Sequence, residues 1–212
     1  MQVAASFLSS KNIPYDLERL NMTSVDYIHV DVMDGKFVKN KTLPFRQMRK
    51  ISNFTSKRLD VHLMVEKPSK YIKKYASLNT AFITIHHKTK EDTKKLLHLI
   101  HSYGIKAGIA INPDTPINEV LPYLLDIDLI LLMSVMPGEA GQDFIVNTPQ
   151  RIEQVKKILE KENKKVLISV DGGINDQTVF YVKDADIVVS GTYLLQNVNI
   201  DESIETLKGT TK

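Results

Sequence analysis

Eight short runs of β-branched and aliphatic residues recur along this 212-residue chain, at 3–8, 27–33, 58–64, 81–86, 106–111, 129–133, 166–170 and 187–189. Amphipathic segments fill the intervals. In 68–77, 91–103 and 149–162 apolar residues return every three or four positions, the spacing that gives a helix one apolar face. Weaker versions of that pattern predict the remaining helices at 14–20, 45–51, 117–124, 177–181 and 203–207. Alternating strands and helices imply a parallel sheet, because a parallel connection has to cross back over the sheet face. Eight such units, with no linker or low-complexity tract, predict an α/β chain folded as one (β/α)8 TIM barrel, a single domain over 1–212. An open doubly wound sheet is the rival fold, but no Gly-x-Gly-x-x-Gly follows the first run.

In such barrels the groups that act on ligands gather at the C-terminal ends of the strands. Ser6, His29, Asp31, His62, Asp171 and Gly191 all fall there. Side chains at i and i+2 share a face of a strand. In His29-Val30-Asp31-Val32-Met33-Asp34-Gly35, His29 and Asp31 therefore point one way, while Ile28, Val30 and Val32 point the other. His62 separates likewise from Val61 and Leu63, and Asp171 from Val170. A lone His on a strand is commonly a satisfied core residue. Two His and two Asp on one rim form a donor set for a divalent ion, zinc first, with iron, manganese or cobalt also suited. The chain has no Cys, so thiolate ligands and disulfides are excluded.

Met33, Met64 and Met133 sit at or just past strand ends, with Met136 nearby. They read either as core gap-fillers or as a soft, aprotic ring that keeps water from a carbanion-like intermediate. Three glycine segments close the later strands: Pro137-Gly138-Glu139-Ala140-Gly141, Asp171-Gly172-Gly173 and Ser190-Gly191-Thr192. Glycine lets backbone N–H groups approach an anion closely, and the late loops of a barrel are a frequent phosphate site. His86-His87-Lys88 can reach the rim without a specific role, and His98 and His101 read as surface residues.

The net charge of +3 is small, and the lysines of 149–162 alternate with glutamates, a solvated face rather than a nucleic-acid surface. No apolar run approaches the ~20 residues needed to span a bilayer. The apolar start Met1-Gln2-Val3-Ala4-Ala5-Ser6-Phe7-Leu8 lacks a basic region and reads as a first strand, which predicts a cytoplasmic protein.

Taken together, these segments resemble the ribulose-phosphate 3-epimerase family over essentially the whole chain. The resemblance rests on Ala5-Ser6-Phe7-Leu8-Ser9, on the His29 to Val38 segment, and on Asp60-Val61-His62-Leu63-Met64-Val65. It continues through Ala110-Ile111-Asn112-Pro113-Asp114-Thr115-Pro116, Met133-Ser134-Val135, Pro137-Gly138, Gly141-Gln142 and Val170-Asp171-Gly172-Gly173-Ile174. It implies interconversion of D-ribulose 5-phosphate and D-xylulose 5-phosphate, a step of the pentose phosphate pathway, with one divalent metal ion held by His29, Asp31, His62 and Asp171. Asp31 and Asp171 are then the acid–base pair at carbon 3. Ser6 and His62 contact the substrate, Met33, Met64 and Met133 shield the intermediate, and the phosphate rests on Gly138-Glu139-Ala140-Gly141, Gly172-Gly173 and Gly191-Thr192. A homo-oligomer is also implied.

The chain departs from the family pattern in places. Gly-Phe-Gly-Gly-Gln has become Gly138-Glu139-Ala140-Gly141-Gln142, Lys39 stands for a Pro, Leu43-Pro44 for a Gly-Pro pair, and Lys88 for an acid. Glu139 would repel a phosphate unless it points outward, and Ala140 would restrict a backbone that needs positive φ. Rival readings are a sister epimerase of D-allulose 6-phosphate, a barrel that binds sugar phosphates without catalysis, and a metal-free isomerase barrel.

Overall fold

The computed structural model describes residues 1–209. Eight parallel strands close into a ring in chain order. They are β1 Gln2–Ser6, β2 Tyr27–Met33, β3 Arg58–Met64, β4 Thr80–His86, β5 Lys106–Ile111, β6 Leu129–Met133, β7 Leu167–Asp171 and β8 Ile187–Ser190. The helices are α1 Ile13–Asn21, α2 Phe45–Ile51, α3 Ser69–Ala76, α4 Thr93–Ser102, α5 Thr148–Lys161, α6 Thr192–Gln196 and α7 Ile200–Lys208. The predicted (β/α)8 TIM barrel is what forms.

Strands covered on both faces read as near-continuous apolar runs, and Leu129-Ile130-Leu131-Leu132-Met133 of β6 is buried throughout. Alternation then divides the core in two. Val30, Val61, Ile83, Ile109, Ile130 and Val188 face outward onto Leu17, Ile72, Leu97, Ile152 and Ile204 of the helices. Ala4, Phe82, Ala110, Leu129, Leu131, Ile187 and Val189 fill the barrel interior. Above that inner plug, the strand ends carry polar residues.

Three local features differ from the periodicity. The β5 and β7 units return through 3₁₀ turns, Ile117–Tyr123 and Val179–Val182, rather than α-helices. Pro122 inside the first removes a backbone donor that an α-helix needs there. β1 ends at Ser6 because the Leu8 N–H turns to Ser6 Oγ at 3.3 Å and the Ser10 N–H to the Phe7 carbonyl at 2.9 Å. α6 went unpredicted, since five residues are too few to display a helical period.

Candidate active site

β2 and β3 pair in a register that sets His29 opposite Asp60 and Asp31 opposite His62. Alternation turns all four inward. Asp171, the last residue of β7, joins them. His29 Nε2 lies 3.3 Å from Asp31 Oδ1 and 3.8 Å from Asp171 Oδ2. His62 Nδ1 lies 3.2 Å and 3.9 Å from the same two oxygens. One donor atom from each of the four falls within 4.8 Å of all the others. The Ser6 hydroxyl donates to Asp31 Oδ2 at 3.3 Å.

This cluster fits a divalent cation. His29 Nε2 is buried without a hydrogen-bond partner among the described residues, although buried polar atoms are nearly always paired. Two imidazoles and two carboxylates are also the donor chemistry of zinc and its neighbours.

The electrostatics of the metal-free site run the same way. Burial disfavours a charged His29, yet Asp31 and Asp60 outweigh it and hold the imidazole well above its ordinary value. Burial likewise opposes ionisation of Asp31, but His29 and His62 prevail and keep it far below the usual carboxylate range. Asp171 is pushed up to about 6, by burial first, with Asp31 and Asp60 adding to it against the two histidines.

Around the cluster opens a cavity of about 500 Å³. Its walls include Ser6, Asp31, Met33, Met64, Met133, Asp171, Gly172, Gly173, Gly191, Thr192 and the 138–141 segment. His29 and His62 lie beneath its floor, fully buried. Among the described residues the lining carries five carboxylates, Asp31, Glu139, Asp143, Asp171 and Asp176, and no Lys, Arg or His. An anion there has to rely on backbone N–H groups, on hydroxyl and amide side chains such as Ser6, Gln142 and Thr192, or on a cation.

The glycine loop after β6 accommodates its two departures. Positive φ falls on Gly138 and Gly141, whereas Glu139 and Ala140 keep ordinary backbone angles. Glu139 is exposed. The Gln142 amide ties the loop down, donating to the carbonyls of Met136 at 2.7 Å and Glu139 at 2.9 Å. Gly172 has φ +123, and a Cβ there would sit 2.4 Å from Val135 Cγ2. The loop after β2 reaches across the mouth: Asn40 Nδ2 donates to the Gly138 carbonyl at 2.9 Å, and Val38 packs on Gly138.

Several residues beyond the expected set support the cluster. Asp60 Oδ2 lies 2.8 Å from His29 Nδ1. His86 Nε2 lies 2.9 Å from His62 Nε2, under the Phe37 ring. Asp60 was visible within the His62 motif, where its i−2 position puts it on the inward face. The His86 contact crosses strands and has no local signature. His87 and Lys88 turn aside to Glu119, at 2.9 and 3.3 Å. His98 and His101 are on the outer face of α4, paired with Asp126 and Asp128.

The ribulose-phosphate 3-epimerase family model matches residues 2–195. A ribulose-phosphate 3-epimerase of Helicobacter pylori strain J99 is 38% identical over 211 residues, covering 98% of this chain and 97% of its own. That of Bacillus subtilis is 34% identical over 214 residues, covering 99% of each. Among solved structures, 3-hexulose-6-phosphate synthase from Salmonella typhimurium superposes with TM-score 0.69 at 13% identity, over 99% of this chain and 98% of that one. That last likeness is one of fold alone. The protein is thus a (β/α)8-barrel epimerase. More narrowly, the chain belongs to the ribulose-phosphate 3-epimerase family.

Proposed function

We propose that this protein, acting as one barrel domain, interconverts D-ribulose 5-phosphate and D-xylulose 5-phosphate by inverting carbon 3. The observation that carries the reading is the pair Asp31 and Asp171, two half-buried carboxylates that share one cluster and both line the cavity. Inversion requires one group to remove a proton and another to return one on the opposite face. Asp31 and Asp171 take these roles, exchanging them with the direction of reaction. The family membership supports the same substrate.

His29, Asp31, His62 and Asp171 would hold one divalent ion, zinc first and iron, manganese or cobalt as alternatives. Bound there, the ion supplies Lewis-acid stabilisation of the negative charge that develops as carbon 3 loses its proton. Ser6 orients Asp31 and contacts the sugar, and His62 lies beneath it. Met33, Met64 and Met133 bring polarizable, aprotic surface to the cavity wall and exclude water from the cis-enediolate. With no basic side chain among the described residues of the lining, the phosphate rests on backbone N–H groups of Gly138-Glu139-Ala140-Gly141, Gly172-Gly173 and Gly191-Thr192. The exposure of Glu139 is compatible with that. No described helix is long and apolar enough to cross a membrane. We read the enzyme as a cytoplasmic homo-oligomer serving the pentose phosphate pathway.

Proton NMR of D-ribulose 5-phosphate with metal-loaded protein in D₂O tests this. Loss of the carbon-3 proton signal with growth of xylulose 5-phosphate is expected. Exchange confined to carbon 1 would mean an aldose–ketose isomerase. No exchange would overturn the pentulose assignment, and the same tube with allulose 6-phosphate would separate a six-carbon epimerase from a binding-only barrel.

A further inference from the structure

We propose that His86 is a positioning residue: its Nε2, 2.9 Å from His62 Nε2, accepts the outer N–H of His62 and so leaves the His62 Nδ1 lone pair free to bind the divalent ion. This rests on the metal reading of the cluster given above.

An imidazole in its neutral form carries one proton, and which nitrogen bears it is set by the partner of the other. His62 Nδ1 faces Asp31 at 3.2 Å and Asp171 at 3.9 Å. Beside two carboxylates, an isolated His62 keeps its proton on Nδ1, and that tautomer has no lone pair to offer a metal. Something on the far side of the ring has to favour the other tautomer. His86 occupies that place. Two ring nitrogens 2.9 Å apart form a hydrogen bond only if one donates and the other accepts.

The surroundings of His86 suit it to accept. It is 2% exposed, and the Phe37 ring covers it with centroids 4.7 Å apart. When His86 accepts at Nε2, its own proton moves to Nδ1. Asn112 lies just past the end of β5, two residues beyond the Ala110 that pairs with His86, and so on the same face of the sheet. Its buried Oδ1 has no hydrogen-bond partner among the described residues. A His86 Nδ1–H supplies that oxygen with a donor. Asn112 is itself fixed, because Arg151 Nη2 donates to its carbonyl at 2.9 Å. The row Asn112, His86, His62 therefore has two tautomeric arrangements with the same number of protons. The one that fills the Asn112 vacancy is the one that offers Nδ1 to the metal.

The test has two arms. Long-range ¹H–¹⁵N correlation spectra of the wild type, with and without Zn²⁺, report which ring nitrogens are protonated. In the zinc-loaded protein we expect the His62 proton on Nε2 and the His86 proton on Nδ1. Co²⁺ titrations, read from the visible bands of the bound ion, then compare the wild type with His86→Leu and His86→Gln. Loss of the acceptor in His86→Leu is expected to weaken binding about 10–100-fold, the usual effect of removing the outer partner of a ligating histidine. His86→Gln should recover most of that loss, because its amide oxygen accepts the same N–H.

A zinc-loaded wild type with the His86 proton on Nε2 overturns the proposal. So does unchanged Co²⁺ affinity in His86→Leu, or a His86→Gln as weak as His86→Leu, which would mean packing alone. If His86→Leu fails to fold, the wild-type spectra decide. A wild type that binds no Co²⁺ removes the metal reading and this role with it. Correct tautomers and affinities without epimerisation would uphold the role of His86 and overturn only the substrate assignment.

Discussion

Asp60 Oδ2 and His29 Nδ1 meet at 2.8 Å beneath the strand ends, both almost wholly buried. The pair aims His29 Nε2 into the cluster, since a ring that donates from Nδ1 to a carboxylate has its other nitrogen free for a metal. Asp60→Ala should therefore weaken Zn²⁺ binding about 10–100-fold in competition with a chromophoric chelator. It should also cost on the order of 1–3 kcal/mol of stability by leaving a buried imidazole unpaired. Unchanged zinc affinity would rule out an orienting role for Asp60.

Asp31→Asn and Asp171→Asn keep the shape of each side chain but remove its ability to exchange a proton. Each should lower turnover by about 10²–10⁴-fold or more while leaving the circular dichroism of a folded barrel. Lys88→Ala is the control, because Lys88 is exposed and reaches Glu119 rather than the cluster. Near-normal turnover in either Asp variant would remove the two-base assignment.

Metal uptake should depend on pH with a definite sign. His29 has to bind as the neutral base and Asp171 as the carboxylate, and both hold protons more tightly than their free counterparts in the metal-free site. Affinity for Zn²⁺ should rise as pH passes through about 6 and go on rising until His29 yields its proton, with protons released on binding. Asp31, already ionised, contributes none. Calorimetry in buffers of different ionisation enthalpy measures the release. A flat profile between about pH 5 and 8 would contradict it.

The same shift makes Asp171 a liability to the empty fold. Its folded value lies above that of an unfolded carboxylate, near ~4. The stability it contributes is fully present below that pH and lost as pH rises through about 6. Asp171→Asn should therefore raise the Tm of metal-free protein at pH 7 while abolishing turnover. A lower Tm would contradict this.

Arg151, on α5, donates from Nη1 to the carbonyls of Pro113 at 3.0 Å and Thr115 at 2.9 Å, and from Nη2 to that of Asn112. Arg151→Met leaves three carbonyls to find other partners. A loss of about 2–4 kcal/mol is expected in chemical denaturation, as for other broken buried networks. Lys at this position should rescue little, since one ammonium cannot reproduce the planar fork.

The barrel and the grouping of His29, Asp31, His62 and Asp171 were both legible in the sequence, for the same reason. Parallel strands buried on two faces leave long aliphatic runs, and a His or Asp interrupting such a run at i and i+2 has to point into the barrel. β2, β3, β5 and β6 carry the bounds read from the sequence. The less legible features involve partners remote in sequence or segments too short for a period. His86 was seen as a rim residue, but its contact with His62 depends on the pairing of β3 with β4. α6 and the 3₁₀ return at Val179–Val182 are set by tertiary packing over four or five residues. The permissive backbone of the 138–141 loop has no signature in residue type alone, because the fold decides which two of its four residues turn left-handed.

The span from Phe37 to Asn40 makes one mechanical piece of two ends of the site. Asn40 and Val38 fasten it to Gly138, at the segment proposed to hold the phosphate, while Phe37 roofs the histidine that touches His62 of the His/Asp cluster. A guest that shifted Gly138 would pull on this span and on the cover over His86. Occupancy at the mouth would then reach the floor through four residues of a surface loop.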